Sequence, residues 1–322
     1  MHKRISIPET ASCRLRSALR ILLTVCTILF ASNTIASDGS VRTVYIAGSG
    51  NTGLDQHLTQ LLKAQFDEHI VLLPVSDDRL PAIQDAPVIA IGPSAFTRVW
   101  QANRKIPILA MLVEKDLVQS YAERSPGQIS AVLYDVPLLR QALTGKSILP
   151  QATKIALMAT SSSAKLYDPL IEQLPDYGLE ARLFLVDGND DLIPTLVRAL
   201  GYGDFLLAAS DDLIYNPRTI KHILLTSYRR NRIVIGPSQA YVKAGSLASS
   251  YAPFPVMANL AARFINTYFS DGKLPAPSYP ESYKVEVNKQ VARSLNIPLP
   301  DRDEIAETVN VRLGDHGGAE HE

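Results

Sequence analysis

Apolar runs alternate with helical patterns along this chain from Val41 onward, an order that predicts parallel strands joined by crossover helices. In a first series VRTVYIAG, HIVLLPV, PVIAIG, IPILAMLV and ISAVLY, ending at Tyr134, read as strands, with helices near 54–66 and 94–102. A second series repeats the arrangement with KIALMAT, ARLFLV, FLLAAS and RIVIG as strands and helices near 165–177 and 191–200. Asn216 can cap a further helix, with Pro217 in the first position, where its missing N–H costs nothing. Most of these strands are almost continuously apolar, which is expected of strands covered on both faces. A last group brings a helix over 255–269, with Met257, Leu260, Ala261, Phe264, Ile265 and Tyr268 at three- and four-residue steps. The Pro-rich GKLPAPSYPE, the strand-like SYKVEV and the helix NKQVARSL follow it. The fold class is therefore α/β, with two Rossmann-like lobes built on parallel sheets. In such sheets the usable crevice lies beyond the carboxyl ends of the strands.

The pattern before Val41 has another meaning. Arg14, Arg16 and Arg20 precede the uncharged ILLTVCTILFA, and small residues follow at Thr34 and Ala36. A basic segment, a short apolar core and small residues make a secretory signal peptide over residues 1–36, and the core is shorter than the roughly 20 residues that span a bilayer. Export to the periplasm is the expectation. Both cysteines, Cys13 and Cys26, fall in this leader, which leaves a chain without thiol chemistry or cysteine-held metal. LTVC, ending at Cys26, is a poor lipoprotein box, because Val25 is bulky and apolar residues continue after the cysteine. Without the leader 286 residues remain, with 27 basic and 31 acidic side chains, a net charge near −4. That balance argues against nucleic acid or anionic lipid as a partner. Residues 301–322, ending in DHGGAEHE, read as a partly disordered tail.

Candidate chemistry gathers in the loops that follow the strands. GSGNTG (48–53) has the G-x-G-x-x-G spacing of a dinucleotide loop and offers Ser49, Asn51 and Thr52. The milder reading is a tight turn with close helix packing. Only Asp77 and Asp78 stand near the position where a ribose-binding acid would follow the second strand. The remaining loops supply Ser94 and Ala95 from GPSAF, Glu114 from VEKD, Ser161 and Ser162 from ATSSSAKLY, and Gln239 and Tyr241 from GPSQAYVKAG. Asp211 and Asp212 close the FLLAAS strand, where a carboxylate can pair with a ligand ammonium or simply favour a helix start. Tyr134, with Tyr167, Tyr215 and Tyr241, can flank an apolar group, although tyrosine also sits on half-buried surfaces with no such task. Trp100 reads as core. The histidines form neither a triad with a serine and an acid nor a metal-ligand spacing, so no catalytic residue, metal or cofactor is expected.

Three stretches carry a resemblance. ASDDLIYNP, RIVIGPSQAYVKAGSLASSYAPFPVMANLAARF and YKVEVNKQVARSLNIPLP resemble the substrate-binding components of ABC transporters with the type I periplasmic binding-protein fold. Within that group they are most similar to the branch binding aromatic and other apolar amino acids. IAGSGNTGLDQHL, VIAIGPSAF and KIPILAMLVEKD match more loosely, and Glu114, Lys115 and Asp116 stand where family members often carry Asp-Pro. The resemblance implies a three-stranded hinge near 131–135, 249–252 and 280–284. The lobes would then be 41–133 plus 251–281 and 134–250 plus 282–300. It also implies a monomer that closes on a small molecule, favouring the closed state because contacts to both lobes coexist only there, and that delivers it to a membrane permease. A binding protein feeding a membrane sensor is the second reading. An exported NAD-type oxidoreductase using GSGNTG is the third.

Overall fold

Two sheets organise the chain in the computed structural model, which describes residues 41–209, 211 and 213–317. The signal peptide, Cys26, Asp212 and the last five residues lie outside the described residues. The first sheet has the order β2-β1-β3-β4-β5, from β1 (Arg42–Ala47), β2 (Ile70–Pro74), β3 (Val88–Ile91), β4 (Ile108–Val113) and β5 (Ile129–Leu133). The pairs β1–β3, β3–β4 and β4–β5 are parallel. The three strands β3, β4 and β5 are buried along almost their whole length, as their unbroken apolar runs require. Helices α1 (Thr52–Lys63), α2 (Gly92–Ala102) and α3 (Lys115–Arg124) connect them.

The second sheet runs β11-β10-β9-β8-β6-β7. It comprises β6 (Lys154–Ala159), β7 (Glu180–Leu185), β8 (Phe205–Leu207), β9 (Ile233–Ile235), β10 (Ala248–Tyr251) and β11 (Lys284–Val287). Its pairs are parallel except β10 with β11. Helices α4 (Leu138–Ile148), α5 (Asp168–Gln173), α6 (Leu192–Tyr202), α7 (Ile220–Arg229) and α8 (Gln239–Ala244) cover it. The long α9 (Phe254–Asp271) returns to the first sheet, where Met257, Ala261 and Ile265 are fully buried in one cluster with Leu58, Leu62 and Leu109. Its apolar stripe is the one the helical spacing predicts. The chain ends in α10 (Lys289–Ser294) and α11 (Arg302–Gly317).

The chain passes between the sheets over 134–137, 252–253 and 279–283, three adjoining connections. Beside them, Gln141 on α4 ties β10 to the turn after β9. Its side-chain amide donates to Ser249 Oγ at 2.9 Å, Ser250 O at 3.0 Å and Pro237 O at 3.2 Å, and its carbonyl accepts the Ser250 N–H at 2.9 Å. A buried amide with every bond satisfied holds its surroundings in one arrangement.

Three expectations need correction. The helix over 165–177 is broken into two 3₁₀ turns flanking α5, because Pro169 and Pro175 start new turns and cannot donate to continue one. The helix after Asn216 begins only at Ile220. Asn216 instead accepts from the Arg218 and Thr219 N–H groups in a turn, and Thr219 binds back to the Ile214 carbonyl. The segment read as a tail is helical through 317. Ile305 and Val309, one turn apart on α11, are buried against the second sheet's core. Among the described residues no helix is long and apolar enough to cross a membrane.

Candidate functional site

The carboxyl ends of β4 and β5 in the first sheet and of β6, β8, β9 and β10 in the second line a cleft that holds two adjoining cavities. The first has a volume of about 230 Å³. Glu114, Tyr134 and Phe254 line it from the side of the first sheet, and Tyr215, Ser238, Gln239 and Tyr241 from the side of the second. Asp135, Val136, Ala252 and Pro253, from the connecting segments, and Tyr251, at the end of β10, complete its lining. The second cavity, about 460 Å³, shares Glu114, Asp135, Val136 and Pro237 with the first and extends past Ser163, Tyr167 and Asp211.

Local sequence explains how these groups are held. β9 ends at Gly236, whose φ of +120° and whose close approach to the Ala208 carbonyl exclude a side chain. That turn swings Pro237, Ser238 and α8 toward the cavity. The Tyr241 hydroxyl then hydrogen-bonds the Tyr215 carbonyl, fixing one ring against the other's backbone. Opposite, β5 runs into Tyr134 and Asp135. The Asp135 carboxylate accepts from the Tyr279 hydroxyl at 2.8 Å and from the Lys115 N–H at 3.1 Å. Burial pushes the Asp135 carboxyl up, and those two hydrogen bonds oppose the rise. Burial and the neighbouring Glu114 charge raise the Tyr134 phenol. The Tyr215 phenol is raised well above its ordinary value by burial, and its hydroxyl has no hydrogen-bond partner among the described residues.

The residues singled out in the sequence divide into two groups. Glu114, Tyr134, Gln239 and Tyr241 line the first cavity, and Asp211 lines the second. Asp211 is nevertheless engaged internally. Its carboxylate accepts from the Ser163 hydroxyl, from the Leu213 N–H at 3.0 Å and from the Thr160 N–H at 3.4 Å, stapling the loops after β6 and β8 together.

Ser49, Asn51, Thr52, Ser94, Ala95, Ser161 and Ser162 line neither cavity. Ala95 is fully buried in the core against α2's own neighbours, since a first-turn alanine there faces the sheet. Ser94 is exposed on the outer side of the same turn. Ser161 is bonded to Asp187 at 2.6 Å and Ser162 to Thr160 at 2.9 Å; it is Ser163, one residue on, that reaches the cleft.

The glycine-rich turn is closed on itself. The Asp55 carboxylate accepts from the Ser49 N–H at 2.9 Å, the Ser49 hydroxyl at 2.7 Å and the Gly50 N–H at 3.3 Å, and Asn51 caps α1 by accepting the Leu54 N–H. A Cβ at residue 48 would stand 2.5 Å from that carboxylate, which accounts for Gly48, and Gly50 takes a φ of +96°. The anion that this turn is built to hold is supplied by its own helix.

Sequence reasoning missed Asp135, Tyr251, Ser238 and Phe254. Tyr134 and Gln239 were chosen as strand-end residues, and their neighbours Asp135 and Ser238 carried the same signal. Tyr251 ends β10 and Phe254 begins α9, on either side of a connection, and only the sheet order brings them to the cleft.

Two parallel-sheet lobes with a small-molecule-sized cavity between them define the periplasmic binding-protein architecture, and the chain has that fold. No family model matches the chain, and no curated protein matches it in sequence. Solved structures match most of its length. A ligand-free, open substrate-binding protein with adhesive properties from Clostridium difficile aligns with a TM-score of 0.66 at 16% identity over 81% of this chain and 97% of that one. An ABC domain in complex with L-Trp from Streptococcus pneumonia aligns with a TM-score of 0.56 at 15% identity, covering 83% of this chain and 98% of that one. A conserved domain protein from Vibrio cholerae gives 0.56 at 16% identity, covering 85% and 98%. At these identities the likeness establishes the fold.

Proposed function

We propose that this protein is an exported solute-binding protein that captures a small molecule between its lobes in the periplasm and hands it to the permease of an ABC importer. The observation that carries the reading is the 230 Å³ cavity, whose walls come from both sheets and whose floor is made by the connecting segments. A molecule there gains contacts to both walls at once, and bending of the three connections alters those contacts without disturbing either core. The cavity holds no serine–histidine or cysteine–histidine pair, so the arrangement supports binding without a chemical step. Amino acids are the ligand class that the sequence resemblance implies, and the cavity's carboxylates and rings suit the ammonium group and an apolar side chain.

The test is a thermal-shift screen of the purified protein against amino acids, amines, sugars and nucleosides. A ligand present at 100 times its dissociation constant adds about 2.7 kcal/mol to stability. A shift with one class, lost when Tyr241 is replaced by alanine, supports the reading. No shift with any class sinks it. Cell fractionation tests the compartment: recovery in the cytoplasm with the leader uncut removes the transport role.

A further inference from the structure

The proposed binding role leaves the ligand's charge open, and the cavity's own chemistry narrows it. Among the first cavity's lining residues there are two carboxylates, Glu114 and Asp135, and no lysine, arginine or histidine. The rings of Tyr134, Tyr241, Tyr251 and Phe254 surround the same space. Carboxylates beside aromatic faces attract a positive charge, the rings through their quadrupoles and the carboxylates directly.

Around the first cavity no basic side chain stands ready for a ligand carboxylate, and Lys115 and Lys165 line only the adjoining cavity. In this architecture a ligand carboxylate is naturally held by N–H groups at helix starts. The start of α3 gives its Lys115 N–H to Asp135, so a protein carboxylate already occupies it. Pro137 ahead of α4 and Pro253 and Pro255 around the start of α9 each remove one N–H from those helix starts, and the rest of the α4 start, at Leu138 and Leu139, lines the second cavity and not the first. The turn ahead of α1 is closed by Asp55. What remains around the first cavity are neutral donors, namely the Ser238 hydroxyl, the N–H groups at the start of the six-residue α8 and the Gln239 amide, which points to Glu286 at 3.4 Å. A zwitterion would bring its ammonium to a favourable wall and desolvate its carboxylate against Glu114 and Asp135.

We infer that the interlobe cavity takes an organic cation without a carboxylate of its own, an arylalkylamine or a small quaternary ammonium, with Glu114 and Asp135 facing the charge and the rings enclosing the apolar part. The inference rests on the solute-binding reading and separates from it in one experiment. Calorimetric titration of the full-length purified protein would use phenethylamine, tetramethylammonium, phenylalanine and ribose. The expected result is binding of phenethylamine or tetramethylammonium, with phenylalanine, which adds only a carboxylate to phenethylamine, at least about tenfold weaker. Glu114→Gln and Asp135→Asn should each weaken the cation about tenfold. Glu114 is exposed, so its variant keeps the fold, which circular dichroism would verify.

Phenylalanine binding as tightly as phenethylamine would overturn the inference and leave the solute-binding role standing. So would ribose binding in the absence of either cation. Cation binding unchanged in both variants would place the cation elsewhere and equally overturn it. Silence from all four probes and from the wider screen would remove both readings together.

Discussion

Two turns at the carboxyl ends of parallel strands, GSGNTG after β1 and GPSQAYV after β9, share a composition and differ in what they serve. Each follows a buried strand, each has a glycine at positive φ, and each leads into a helix. In the first, Asp55 reaches back from α1 and takes the free N–H groups, so the turn is complete as a structural unit. In the second, Gly236 packs against the Ala208 carbonyl, and the residues after it are spent on the cavity wall. The lesson is that a glycine-rich turn becomes a ligand site only when its donors are left over after local structure has used its own. A carboxylate four residues into the following helix is enough to remove them.

This contrast can be broken in four places. The largest effect is expected from Gly236→Ala: a Cβ would meet the Ala208 carbonyl at 2.3 Å in a left-handed backbone, costing about 3 kcal/mol in urea unfolding. A change below the error of the measurement would show that the turn relaxes freely. Asp55→Ala should cost about 1–2 kcal/mol by the same assay, because three donors lose their acceptor, while ligand affinity stays as in the wild type. Lost affinity there would return the GSGNTG turn to the binding site.

Asp135→Asn sharpens the comparison through pH. A carboxyl raised above its ordinary 3.8 by burial binds its proton more readily when folded, so this group lowers stability as pH rises through the window just above that value. The free wild-type protein should therefore lose stability relative to the variant over that window and hold a constant gap at neutral pH. A gap that closes as pH rises would contradict a buried, charged Asp135. The smallest effect belongs to Tyr215→Phe, which removes a buried hydroxyl with no partner among the described residues and should be neutral or stabilising by up to about 1 kcal/mol. A clear loss of stability would reveal a partner for that hydroxyl.

Much of the architecture was legible in the chain. Continuous apolar runs at β3, β4 and β5 and the three- and four-residue spacing of Met257, Ala261 and Ile265 announced elements that are buried as expected. Errors came where backbone detail overrode the pattern. Pro169 and Pro175 cut one helical stretch into three pieces, and a pair of apolar residues, Ile305 and Val309, was enough to dock a segment read as tail. At the site, Glu114, Tyr134, Gln239 and Tyr241 were visible as strand-end residues, whereas Ser161 and Ser162 differ from Ser163 only in the direction of a turn.

By itself the sequence determined which segments are strands and most of the helices, since periodicity and apolarity are local properties of the chain; the central strands β3, β4, β5, β6, β8 and β9 are buried as their apolar runs require, whereas the equally apolar β2 and β7 are left largely exposed because they stand at sheet edges. Only the tertiary structure decided which strand ends meet. Asp135 lies more than a hundred residues before Tyr251 and Phe254, and they share a cavity because the sheet orders and the crossings between the sheets bring them together. Whether a polar group is available to a ligand or already satisfied is likewise a property of its neighbours in space, as Asp55 and Asp211 show.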